Sequence, residues 1–186
     1  MKKINYNNFF KLLFLILQLL QIGIASEIFE NCEKKIKLTY PNIDFIKHDI
    51  WEIPIKVINE IEKKSRQRFF KPNLHIWKIY NDSSMIGIAI LDNVIGKSMP
   101  ISFLVLFDNY GKILNTEIIK YREPYGGEIS SRRWLNQFSN KIDSSSFKVG
   151  AEIDGISGAT ISVNSVSKGI KKITLLFPHL FLNPKR

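Results

Sequence analysis

The sequence predicts an α+β fold: a single domain built on an antiparallel sheet, with a C-terminal helix that follows a glycine-rich loop. Short β-rich runs between residues 76 and 121 are separated by turn residues, which is typical of antiparallel strands. Apolar residues then recur at three- and four-residue steps from Val163 to Phe177, the pattern of one face of a helix. No repeat or proline-rich linker divides residues 26–186, a length that suits one domain.

The N-terminus has the layout of a secretory signal peptide. A basic start, Met1-Lys2-Lys3, precedes a region rich in Leu, Ile and Phe, and small residues follow at positions 23, 25 and 26. The uninterrupted apolar run is short compared with the roughly 20 residues that a membrane span needs. We therefore expect residues 1–25 to be a signal peptide cleaved after Ala25, with a retained signal anchor as the alternative. The mature chain is then exported, to the periplasm where the cell has two membranes.

Residues 26–75 are predicted as a helical or mixed segment, with a helix from about Pro54 to Arg68. A break at Lys71-Pro72-Asn73 ends this segment. The predicted strands after it are joined by turns rich in Asn, Asp, Ser and Gly, and they cover Ile76–Ile79, Met85–Leu91, Ile101–Phe107 and Lys112–Tyr121. A run of strands followed by a closing helix places the main domain over residues 76–186.

Charge and cysteine usage exclude several functions. The formal net charge is +10, but the basic residues are spread in pairs along the chain and form no tract, so no nucleic-acid partner is expected. Cys32 is the one cysteine, which rules out a disulfide framework, a CxxC pair and a CxxCH haem site. The three histidines (His48, His75 and His179) have no partner at metal-ligand spacing, and no metal site is predicted.

The segment from Asp154 to Thr160, Asp-Gly-Ile-Ser-Gly-Ala-Thr, joins the glycine-rich loop to the final helix. Unpaired N–H groups and the positive end of the helix dipole favour an anion at such a junction, above all a phosphate. Gly155 and Gly158 allow close backbone approach to a ligand. The alternative is an ordinary capping loop, with Ser157 or Thr160 as the N-cap.

This segment resembles the flavinylation motif of the FMN-binding domain family, which includes the C subunit of the sodium-translocating NADH:quinone oxidoreductase and the G subunit of the Rnf complex. The resemblance implies FMN as the cofactor, joined through its phosphate to the Thr160 hydroxyl by a flavin transferase. It implies further cofactor-binding positions within the motif, namely Asp154, Ser157, Gly158 and Ala159. Ser157 and Ser162 would be acceptors only in a different register of the motif.

The resemblance extends through residues 76–180. The hairpin of residues 106–113 and the Trp134-x-x-Gln137-Phe138 element are similar to family elements. A glutamate followed by a glycine-containing loop is also similar, and it implies a role in the flavin pocket for Glu123, Tyr125, Gly126 and Gly127. The respiratory subunits read Glu-Thr-Pro-Gly-Leu-Gly here, and this chain has no equivalent of their leucine.

Three functions are consistent with these observations. The first is an exported electron-transfer flavoprotein, which works with a membrane or extracytoplasmic redox partner and is matured by the flavin transferase. The second is an FMN-dependent reductase of a small molecule. The third is a non-enzymatic binding or assembly module of a redox complex. An electron carrier is favoured over a stand-alone enzyme, because the short chain leaves little sequence for a substrate site and no catalytic residue is assigned.

Overall fold

The computed structural model describes residues 6–182, with the backbone alone at positions 6–9, 12, 16–25 and 181–182. The helices are Tyr6–Thr39 (α1), Ile55–Ser65 (α2), Arg132–Leu135 (α3), Thr160–Leu176 (α4) and His179–Leu182 (α5). The strands are Phe45–Glu52 (β1), Asn73–Asn81 (β2), Ser84–Ile95 (β3), Pro100–Asp108 (β4) and Ile113–Lys120 (β5). Two 3-10 turns, Gly127–Ser130 and Asn136–Phe138, flank α3.

The five strands form one antiparallel sheet in the order β1-β2-β3-β4-β5. Together with helix α4, which follows the strands in the chain, this architecture confirms the predicted α+β class. The β2–β3 turn is tight, and Asp82 and Ser83 both have positive φ angles (46° and 63°), as the right-handed twist of a hairpin requires.

Strand β1 lies in the segment predicted as helical or mixed. It is one of the two edge strands of the sheet, and among the described strands it pairs only with β2. None of its side chains is fully buried, and Phe45 and Ile50 are exposed. Because neither face of this strand enters the core completely, its sequence lacks the strict alternation that indicates a half-buried strand.

The two faces of the sheet are covered by different helices. One face packs against α2 and α4, and its core includes Ile88, Phe103 and Phe107. The opposite face packs against the second half of α1, which supplies Cys32 and Ile36, and against Tyr40, which directly follows the helix. The Tyr40 hydroxyl donates a hydrogen bond to the carbonyl of Phe107 at 2.6 Å, so this half of α1 is fixed to the sheet by a polar contact as well as by apolar packing.

Helix α1 continues through Ala25, the residue that precedes the predicted cleavage site. Residues 1–5 of the predicted signal peptide lie outside the described residues. Within the part of the chain that the structure describes, no helix combines the length and the apolar character that a membrane crossing requires.

Two close contacts fix the middle of α4 on the sheet. A Cβ at Gly169 would lie 2.7 Å from Val94 Cγ1 and 3.0 Å from Phe103 Cζ, so only a glycine lets the helix approach this closely. The Lys172 ammonium forms a fully buried ion pair with Asp92 at 2.7 Å and donates a hydrogen bond to the carbonyl of Arg68 at 2.9 Å. These contacts determine where the first turn of α4 lies relative to the strand ends.

Candidate functional site

Three segments that are distant in sequence meet beside the start of α4. They are the β3–β4 turn, the loop after β5, and the residues that lead into α4. A cleft of about 370 Å³ lies between them, a size within the range of small-molecule sites. Its lining residues are Lys97, Ser98, Glu123, Pro124, Tyr125, Gly158, Ala159, Thr160, Ile161 and Ser162.

The first turn of α4 presents backbone donors at the cleft. No side chain caps the helix, which begins at the exposed Thr160 after Gly158, whose φ angle is +76°. The first bond of the helical pattern joins the Val163 amide to the carbonyl of Ala159 at 2.9 Å, so the three amides before Val163 precede the helical hydrogen-bond ladder. This end of the helix therefore attracts an anion.

The Trp-x-x-Gln element holds the loop that leads into α4. The Trp134 indole N–H donates to the carbonyl of Asp154 at 2.8 Å, and the Asp154 amide donates to the Gln137 side-chain oxygen at 2.8 Å. Trp134 is buried in edge-to-face contact with Phe138, at 5.1 Å between ring centroids. The backbone amide and the backbone carbonyl of Asp154 are thus both held by the Trp-x-x-Gln element, while the Asp154 side chain is exposed.

Glu123 connects the segments on the two sides of the cleft. Its Oε1 accepts hydrogen bonds from the Ser98 amide at 2.8 Å and the Met99 amide at 3.4 Å. Its Oε2 accepts from the Ser162 hydroxyl at 2.5 Å. Burial disfavours the charged form of this carboxyl, but the hydrogen bonds from Ser162 and the backbone amides outweigh burial and hold the pKa of Glu123 below its ordinary value. The carboxylate is therefore ionised at neutral pH.

The loop after β5 is packed tightly against the start of α4. Gly126 has a φ angle of +82°, and a Cβ there would lie 2.5 Å from the Ala159 Cβ and 3.0 Å from the Tyr121 hydroxyl oxygen. The Tyr121 hydroxyl donates to the carbonyl of Tyr125 at 2.5 Å, which closes the loop on itself. Tyr125 is 80% exposed, so its ring is available to a ligand at the cleft.

The structure brings together several of the predicted site residues and separates others. Glu123, Tyr125, Gly158, Ala159 and Thr160 all line the cleft. Gly126 lies behind it against Ala159, and a Cβ at Gly127, the first residue of a 3-10 turn, would meet nothing within 4 Å. The exposed Ser157 and Asp154 belong to the loop before the helix and are not lining residues.

Sequence reasoning did not identify Lys97, Ser98, Pro124 and Ile161. The Gly-Lys-Ser-Met-Pro run indicates a turn between two strands. No local signal places that turn opposite a helix that begins 60 residues later, and the contact exists only because β3, β4 and α4 pack together. Ser162, an acceptor only in a different register of the motif, is 2% exposed and is bonded to Glu123, whereas Thr160 is exposed.

Two other groups of potentially reactive side chains lie away from the cleft. Burial raises the pKa of the Cys32 thiol to about 12, which makes it unreactive at neutral pH. His48 and His75 are joined by a hydrogen bond of 3.0 Å between ring nitrogens. In the described part of the chain, no group of three or more His, Cys, Asp or Glu side chains is arranged to hold a metal ion.

The chain is similar to one family model and to several solved structures, among them one from Shewanella oneidensis and one from Parabacteroides distasonis. Residues 96–174 match the family model of the FMN-binding domain, a range that includes all the segments around the cleft. NqrC from Shewanella oneidensis is 14% identical, with a TM-score of 0.49, over 74% of this chain and 80% of that protein. The C subunit of the Na⁺-translocating NADH-quinone reductase from Parabacteroides distasonis is 19% identical, with a TM-score of 0.43, over 71% and 78%. No curated protein sequence matches the chain.

Proposed function

We propose that the chain is an exported electron-transfer flavoprotein that carries FMN esterified to Thr160. The match of residues 96–174 to the FMN-binding domain model indicates FMN as the cofactor. The observation that carries the proposal is the position of Thr160: it is exposed, begins helix α4 and lines the cleft. When bound, FMN supplies one- and two-electron redox chemistry.

The residues around the cleft fit this cofactor. The amides of the first turn of α4 and the Lys97 side chain suit the negative charge of a phosphodiester at Thr160. Tyr125 and Pro124 provide aromatic and apolar surface for a flat ring. The positive φ of Gly158 lets the backbone turn beside the attachment point without a Cβ.

Attachment requires an accessible hydroxyl and an activated FMN donor. The new bond joins the Thr160 side-chain oxygen to the phosphorus, the bond from phosphorus to the leaving group of the donor breaks, and the hydroxyl proton leaves with solvent or a base. In this proposal a flavin transferase binds that donor together with Mg²⁺ and transfers the FMN group to Thr160. Ser162 cannot compete in the folded protein, because its hydroxyl is buried and donates to Glu123. Ser157 is exposed but precedes the helix, outside the cleft lining.

An electron carrier is favoured over a small-molecule reductase by the side chains of the cleft. A carboxylic acid is a common proton donor in reductases, and the one carboxyl among the lining residues is that of Glu123. Its hydrogen bonds stabilise the ionised form, so it is a poor acid at neutral pH. The exposed Tyr125 and Ile161 at the cleft instead leave surface for a membrane or extracytoplasmic redox partner.

Co-expression with a flavin transferase and Mg²⁺ tests the attachment site. We expect yellow protein whose flavin survives denaturation, with a mass increase equal to one esterified FMN. Thr160→Ala should lose the flavin completely, and the matched variant Ser157→Ala should retain it. Wild-type protein without covalent flavin would contradict the proposal, and flavin on Thr160→Ala would assign the ester to another hydroxyl.

Export is tested on protein from the native cell. N-terminal sequencing of the mature chain should begin at Ser26, and fractionation should place the protein outside the cytoplasm. A mature chain that begins at Met1 and extracts with membranes would support the retained anchor instead. Intact mass of the same sample reports both the cleavage and the flavin.

A further inference from the structure

Glu123 contacts more of the cleft than the other predicted site residues do. One carboxylate oxygen accepts from two amides of the β3–β4 turn, and the other accepts from Ser162 in the first turn of α4. The Tyr121 hydroxyl lies 3.3 Å from the second oxygen. Glu123 lines the cleft, so its charge lies beside the space proposed for the cofactor.

The β3–β4 turn is shaped around this carboxylate. A Cβ at Gly96 would lie 2.8 Å from Glu123 Oε1 and 2.8 Å from Ile101 Cδ1. A side chain at position 96 would therefore have to displace the Glu123 carboxylate and the end of the Ile101 side chain. The turn that Glu123 fixes carries Lys97 and Ser98, which line the cleft together with the first residues of α4.

We propose that Glu123 is a positioning residue of the flavin site: its carboxylate holds the Lys97–Ser98 turn to the start of α4, and its charge lowers the reduction potential of the bound FMN. The inference rests on the proposed function. Reduction adds electron density to the ring, and a fixed negative charge in a partly buried cleft opposes it. Because the Glu123 carboxylate is charged, it accepts several strong hydrogen bonds at once.

The test compares flavin-loaded wild type with two substitutions and a matched control. Glu123→Gln keeps an oxygen for the amides of the turn and places an NH₂ group next to the Ser162 oxygen, but it removes the charge. Glu123→Ala removes both the charge and the contacts. The control, Glu128→Gln, makes the same charge change at an exposed side chain outside the cleft lining. The readouts are the midpoint potential and the visible circular dichroism of the bound flavin.

Glu123→Gln should shift the potential to a more positive value and keep the dichroism of the wild type. Glu123→Ala should shift the potential in the same direction and lose most of the dichroism, because the ring is no longer held in one orientation. Glu128→Gln should change neither. A Glu123→Gln protein with the wild-type potential would contradict the claim that the charge lowers the reduction potential. A Glu123→Ala protein with the wild-type dichroism would contradict the claim that the carboxylate positions the flavin site.

A measurement without flavin keeps the positioning part testable by itself. In a double-mutant cycle, the losses of unfolding free energy for Glu123→Ala and Ser162→Ala should be non-additive, because the two side chains share a hydrogen bond. Additive losses would contradict the connection between the loop and α4. If the wild type carries no flavin but the double-mutant cycle is non-additive, the proposed attachment to Thr160 is contradicted. The positioning role of Glu123 is not contradicted by that result.

Discussion

The start and the middle of helix α4 are held in opposite ways. In the middle, Gly169 touches β3 and β4 without a side chain, and the buried Lys172 pairs with Asp92. At the start, Thr160 is exposed and no side chain caps the helix. There, side chains from other segments fix the chain, with Glu123 bonded to Ser162 and Trp134 bonded to the loop before the helix.

Within α4, the middle therefore contributes mainly to stability, and the start contributes mainly to the proposed cofactor site. The face of α4 that carries Gly169 and Lys172 is buried, so a change there creates a clash or leaves a buried group without its partner. The start leaves backbone donors and a hydroxyl accessible, which costs little in stability because water can satisfy them. Substitutions in the middle should therefore affect the free energy of unfolding, and substitutions at the start should affect the cofactor.

The largest effect on stability is expected from Lys172→Met. Lys172 is fully buried, pairs with Asp92 and lies 4.3 Å from the centroid of the Phe69 ring. Removing one partner of a buried ion pair destabilises a protein by about 3–5 kcal/mol, because the remaining charge is left uncompensated. Denaturant unfolding of the flavin-free protein measures the loss.

The control for this prediction is Lys168→Met, on the same helix but exposed, which should change the free energy of unfolding little. Burial already raises the pKa of Asp92, and only Lys172 opposes that shift among the charged side chains that act on it. The double variant Asp92→Asn/Lys172→Met should therefore recover part of the loss. A Lys172→Met protein as stable as Lys168→Met would show that the ion pair does not fix α4.

A smaller effect on stability and a clear effect on the cofactor are expected from Gly126→Val. A β-branched side chain at φ +82° is strained, and its Cβ would collide with that of Ala159. We expect a loss of about 1–3 kcal/mol, typical of a residue forced into a sparsely populated conformation, and an altered flavin absorption spectrum or potential. Gly127→Val is the matched neighbour, because a Cβ at Gly127 meets nothing within 4 Å. An unchanged spectrum and potential in folded Gly126→Val protein would remove this loop from the site.

The smallest effect concerns pH and comes from Glu123. Its pKa in the folded protein lies below the ordinary value of 4.5, so the unfolded chain takes up the proton first as the pH falls. The contribution of Glu123 to stability is therefore complete above about pH 4.5 and is lost as the pH falls through the lower folded value. The difference in unfolding free energy between wild type and Glu123→Gln, measured at several pH values, should shrink over that interval. A difference that is independent of pH would contradict the hydrogen bonding assigned to the carboxylate.

Patterns along the chain predicted the strands whose side chains enter the core. The runs Ile101–Phe107 and Met85–Leu91 are parts of β4 and β3, the central strands, where burial demands apolar residues. The pattern failed at β1, because an outer strand with partly exposed faces needs neither alternation nor a continuous apolar run. Trp134 and Gln137 belong to an element that is similar to one in the FMN-binding domain family. Their hydrogen bonds to Asp154, however, depend on the path of the loop and not on the motif.

The sequence by itself determined the α+β class, the hydroxyl at the start of α4 and the match of residues 96–174 to the FMN-binding domain model, because each depends on patterns along the chain. Tertiary structure decided which residues surround that hydroxyl. The packing of α4 on β3 and β4, through Gly169 and Lys172, brings Thr160 into the same cleft as Lys97 and buries Ser162 against Glu123. Such contacts join residues 39 to 80 positions apart, and their geometry depends on how closely a helix can approach a sheet, which no local pattern encodes.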